Sequence, residues 1–202
     1  MDLVRVQVGY RTRPEGPVSQ HFLIDLPVSE ADNAHDPVDE SRILDALEPV
    51  LYAGAAAPRH YSLHVHRWHT SWGASPGALE VGLLVTTGSR TAAVSDVWQD
   101  GVVRAFRDLL SLAGPSDATP MTRDAAIMRA QHSTATAYAL NPESLSLSAE
   151  EHHAAENSWT VGLRTATADE YDVVVGLVDG YAKSVRVRHG ERTEVFDSVG
   201  SE

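Results

Sequence analysis

A chain of 202 residues, 43% apolar and 22% charged, is long enough to bury a core and too apolar for wholesale disorder. Its formal charge of −12 weighs against nucleic acid and anionic membranes as partners, because a polyanion must be met by a basic patch, and leaves basic partners open. It has no cysteine, which removes disulfides, thiolate nucleophiles and cysteine-bound zinc, so a metal would have to sit on histidine and carboxylate.

In chain order, residues 3–10 alternate Val4, Val6 and Val8 against Leu3, Arg5 and Gln7, a first strand with one buried face. Residues 20–26 read as a second strand, and Pro14-Glu15-Gly16-Pro17 between them is hairpin turn chemistry. A polar, aspartate-bearing stretch over 29–40 reads as loop. The helix that follows carries Ile43, Leu44, Leu47, Val50 and Leu51 on one stripe. Pro49 is expected to kink it or end its regular part, and Gly54 to stop it.

Residues 59–114 look like the stretch around which the chain is organised. Tyr61, Leu63 and Val65 alternate with His60, His64, His66 and Trp68, the period of a strand with two unlike faces. Ser75 before Pro76 predicts a helix start, giving a helix that breaks near Gly88, although Val81, Val85, Thr86 and Thr87 suit a strand as well. A clearer helix follows, with Ala93, Val94, Val97, Trp98, Val102, Phe106, Leu109 and Leu110 at 3–4 spacing and Gly114-Pro115 ending it.

Thr119-Pro120 predicts another helix, with Ala125, Met128, His132 and Ala135 aligned and Asn141-Pro142 closing it. Ser148 with Glu151 fits a capping box for a short acidic helix ending near Asn157. Three strands are expected over 158–165, 171–178 and 184–189, Asp179-Gly180 turning between the last two, and a fourth over 193–196. The fold class expected is α+β, with mostly antiparallel sheet and several packed helices. Residues 1–114 would form a β-β-α-β-α-α lobe and residues 115–202 helices followed by a three-stranded antiparallel meander, with one continuous domain as the alternative.

Two patterns invite a catalytic reading. Gly73-Ala74-Ser75-Pro76-Gly77 matches G-x-S-x-G between a strand and a helix, but the oxyanion hole of that elbow uses the N–H of the residue after the serine. Pro76 has none, so Ser75 reads as a helix cap. His64 and His66 point to the same side of one strand, with His69 just beyond, an arrangement that can present two imidazoles to a zinc ion. No glutamate stands at a spacing that marks a general base. A solvated or interdomain strand face is the plainer account, and no cofactor is expected. His152 and His153, between Glu150-Glu151 and Glu156, read as part of a solvated acidic helix face.

Binding is the better-supported class. Trp68 and Trp72 flank the turn after the histidine strand, where tryptophan often anchors a partner. Arg186 and Arg188 share one face of the last strand, where they would either dock an acidic group or guard a sheet edge. There is no phosphate loop. Fifteen arginines against the single Lys183 point to a high-GC bacterium. An N-terminal run holding Asp2 and Arg5, without an apolar signal core, leads to the expectation of a cytoplasmic protein.

The strand that runs into Trp72-Gly73-Ala74-Ser75 and then an apolar segment, over residues 61–112, resembles small uncharacterised actinobacterial accessory proteins encoded beside conflict-system effectors. That resemblance implies a non-catalytic, partner-binding role. The function expected is therefore an accessory or regulatory protein that binds another protein through the tryptophan turn or an edge strand. The alternatives are a metal-dependent enzyme or sensor using the strand histidines, and a self-assembling structural protein.

Overall fold

A computed structural model describes residues 2–28, 38–52, 58–68, 78–88, 92–114 and 120–190. The opening run forms β1 (Asp2–Arg11) and β2 (Gln20–Val28), an antiparallel pair that sets Val4, Val6 and Val8 opposite Leu26, Ile24 and Phe22. Helix α1 (Glu40–Tyr52) is capped by Asp39, whose Oδ1 accepts from the Arg42 N–H at 3.0 Å. It runs past Pro49 to Tyr52, so the proline sits inside the helix without ending it. Then come β3 (His60–Trp68), β4 (Ala78–Thr86) and α2 (Ala92–Ala113). Helix α3 (Arg123–Tyr138), capped by Thr122, leads through a short 3-10 turn into β5 (Ser146–His153), β6 (Ser158–Arg164), β7 (Glu170–Val175) and β8 (Ser184–His189).

All of these strands join one eight-stranded sheet in the order β3-β4-β1-β2-β8-β7-β6-β5. Only β1 and β4 run parallel; every other neighbouring pair is antiparallel. The class is α+β. Pairing of β2 with β8 joins the early strands and the late meander in a single sheet.

The helices cover opposite faces at opposite ends. Because side chains alternate along a strand, Phe22, Ile24 and Leu26 face the core beneath α1 and α2, while Leu23 turns to the other side. There it meets Val161, Leu163, Val173, Val175, Val185 and Val187 beneath α3. Trp98 anchors the first layer, its ring 5.0 Å from Tyr10 and 5.3 Å from Phe22, fully inside the core. Burial of each such large side chain contributes about 2 kcal/mol. One half of each sheet face is left without a helix among the described residues.

Three expectations are corrected. Residues 78–86 are β4 and not a helix: the strand lies between β1 and β3, so a near-continuous apolar run carries both its faces. Residues 146–153 are β5 and not an acidic helix, because pairing with β6 outweighs the local capping signal of Ser148 and Glu151. In α3 the buried residues are Ala126, Ala130, Ser133, Thr134 and Ala135, so of the expected stripe Ala135 is buried, while Met128 is 56% exposed and His132 is also exposed. Small side chains let that helix sit close to the sheet, and they carry no hydrophobic stripe to read. The expected strand at 193–196 and the Ser75 cap lie outside the described residues.

Candidate functional site

The eight-stranded sheet has two edges, β3 and β5, and β3 is the more regular of the two. It pairs with β4 in unbroken register from His60 opposite Thr86 to Trp68 opposite Ala78, and its other side has no strand partner among the described residues. Tyr61, Leu63 and Val65 face the α1 side, since they lie opposite Val85, Leu83 and Val81. Helix α1 stops short of covering them. Tyr61 stays 45% exposed and Leu63 39% exposed.

The overhang leaves a groove of about 290 Å³ between α1 and the strand edge, floored by Leu47 and Leu83 and walled by Leu44, Leu51, Tyr61 and Leu63. Its rim is acidic: Asp45 and Glu48 stand exposed on α1. Pro49 has no N–H to give to the carbonyl of Asp45, four residues back, which adds acceptor character to the same rim. At the far end Arg67 is held 2.6 Å from Glu40, fixing the strand against the helix start. Unspent backbone donors and acceptors, an apolar trough and an acidic lip can pair an extended chain, seat its alternate side chains and attract its cations.

The residues picked from sequence fall elsewhere. His64 and His66 do share a face of β3, but it is the face away from the groove, with His66 opposite Glu80 and His64 opposite Gly82. Among the described residues no group of three or more His, Asp or Glu is placed to hold a metal ion, and a pair alone does not close a tetrahedral zinc site. His69 and Trp72 lie outside the described residues, and Trp68 is the last residue of β3. Trp98 is core, and Trp159 donates its indole N–H to the Met121 carbonyl at 3.3 Å.

Arg186 and Arg188 do sit side by side on β8, but that strand is interior, between β2 and β7. The edge-guard reading of these arginines therefore fails. Both address Asp172, Arg188 at 3.2 Å and Arg186 at 3.9 Å, and Arg186 also donates to Gln99 of α2 at 3.1 Å. Burial lowers the Arg186 pKa from its ordinary value, against the pull of Asp172.

A second polar centre went unnoticed in the sequence. Arg5 of β1 stands directly opposite Asp25 of β2 and donates through Nε at 2.8 Å and Nη2 at 3.3 Å. Arg129 of α3 reaches the same carboxylate at 3.2 Å. The hydrogen bond to Asp25, with its charge, raises the Arg5 pKa. A hairpin register counted out from the Pro14-Gly16 turn would have revealed the first pair.

Comparison with family models, with curated proteins and with solved structures finds no match to this chain. No described helix is long and apolar enough to cross a membrane.

Proposed function

We infer that this is a non-catalytic binding protein that takes up an extended segment of a partner protein along β3, in the accessory or regulatory role suggested by the sequence. The observation that carries the reading is the β3 edge, without a strand partner among the described residues, lying beside an apolar, acid-rimmed groove. A segment fitting it carries, at every second residue and so on one face, apolar side chains seated over Leu63 and Leu83 and arginine or lysine facing Asp45 and Glu48. A basic partner also suits a chain of charge −12.

The test is selection from a random displayed-peptide library, followed by titration of the enriched peptides against Leu63→Asp. Because Leu63 is half-exposed, the substitution should shift stability by no more than about 0.5 kcal/mol. The expected result is enrichment of apolar and basic residues at every second position, with affinity falling at least about tenfold in the variant, the loss of one well-buried anchor. Peptides without that pattern, or with unchanged affinity for Leu63→Asp, would contradict the reading.

A further inference from the structure

We propose that the small cavity between α3 and strands β1, β2 and β8 is a binding site for a tetrahedral oxyanion such as inorganic phosphate. It is lined by Arg5, Asp25, Arg129, His132, Ser133 and Lys183 among others, and its volume is about 50 Å³. That is room for one phosphate-sized group.

The charge arithmetic is what points to an anion. Arg5, Arg129 and Lys183 all line a cavity whose one lining carboxylate among the described residues is Asp25. Glu80 also acts on Arg5 from the next strand, and among the described residues a surplus of one positive charge still remains. An ion bridge whose only task was to dock α3 on the sheet would be complete with Arg5, Asp25 and Arg129. Lys183, the only lysine of the chain, is not needed for it and has no ion-pair partner among the described residues.

Each guanidinium also keeps N–H groups beyond those given to Asp25, in the fork geometry that suits phosphate oxygens. Ser133 and Thr136 add hydroxyls from α3.

Calorimetric titration of the full chain with inorganic phosphate, in chloride buffer of fixed ionic strength, tests this directly. The expected result is saturable one-to-one binding, weakened roughly tenfold in Lys183→Ala by loss of one charge-assisted contact and largely kept in Lys183→Arg. Thermal unfolding of both variants should match the parent without phosphate. Absence of saturable heat, or equal affinity in parent and Lys183→Ala, overturns the proposal. A parallel titration with acetate that matches phosphate overturns the tetrahedral assignment.

Discussion

The two edges of the sheet face the same hazard and meet it differently. Every residue of β5 from Ser146 to His152 is exposed, and the strand presents Glu150, Glu151, His152 and His153 in succession. It is also bulged between Leu147 and Ala149, where a Cβ on the facing Gly162 would come within 2.8 Å of Ser148 Oγ. Charge and irregularity are the usual means of stopping an edge from recruiting another chain. At the opposite edge, β3 is regular over nine residues and has an apolar face with a groove beside it. The two edges thus differ in charge and regularity, and the proposed binding role of β3 rests on that difference.

The largest expected effect sets the pH range in which the two edges can be compared. His21 lies under α3, its ring edge-on to Tyr138 at 4.9 Å and its Nε2 buried without a hydrogen bond. Burial lowers its pKa to about 4. Between that value and the ordinary histidine value near 6.5 the unfolded chain binds more protons than the folded one. Stability is therefore complete above pH 6.5 and falls as pH drops toward 4, by about 3 kcal/mol in total. Urea unfolding at pH 7.5, 5.5 and 4.5 measures the fall, and His21→Phe should remove most of it. Comparisons of the two edges belong above pH 6.5.

A smaller effect inverts the contrast. In the double variant Glu150→Val and Glu151→Val, β5 loses its charges and comes to resemble β3. The unfolding midpoint should stay near that of the parent, while light scattering shows concentration-dependent association that the parent lacks at the same concentration. Scattering identical to the parent would mean that the bulge alone guards the edge.

Much of the fold was legible from the sequence because its signals are local. The valines of β1 alternate, α1 and α2 repeat their apolar residues at helical spacing, and Asp179-Gly180 forms the left-handed turn its chemistry suggests, with φ of 48° and 75°. The failures were decided by neighbours. The leucines of β4 fit either period until the strand lies between β1 and β3, and β5 has no apolar face to announce it. For the same reason the candidate site was half visible. The alternation of Tyr61, Leu63 and Val65 marked a strand, but only the sheet order makes it an edge and only the short reach of α1 leaves a groove. The Arg5, Asp25, Arg129 and Lys183 cluster draws on three strands' worth of register and a helix, which no spacing along the chain reveals.

On the proposed function β3, and not β5, takes an added strand. Backbone amide hydrogen exchange at pH 7.5, with and without a saturating library-selected peptide, tests it most directly. The account predicts new protection across β3 with β5 unchanged. Protection confined to β5, or to neither edge while the peptide is bound, would contradict it.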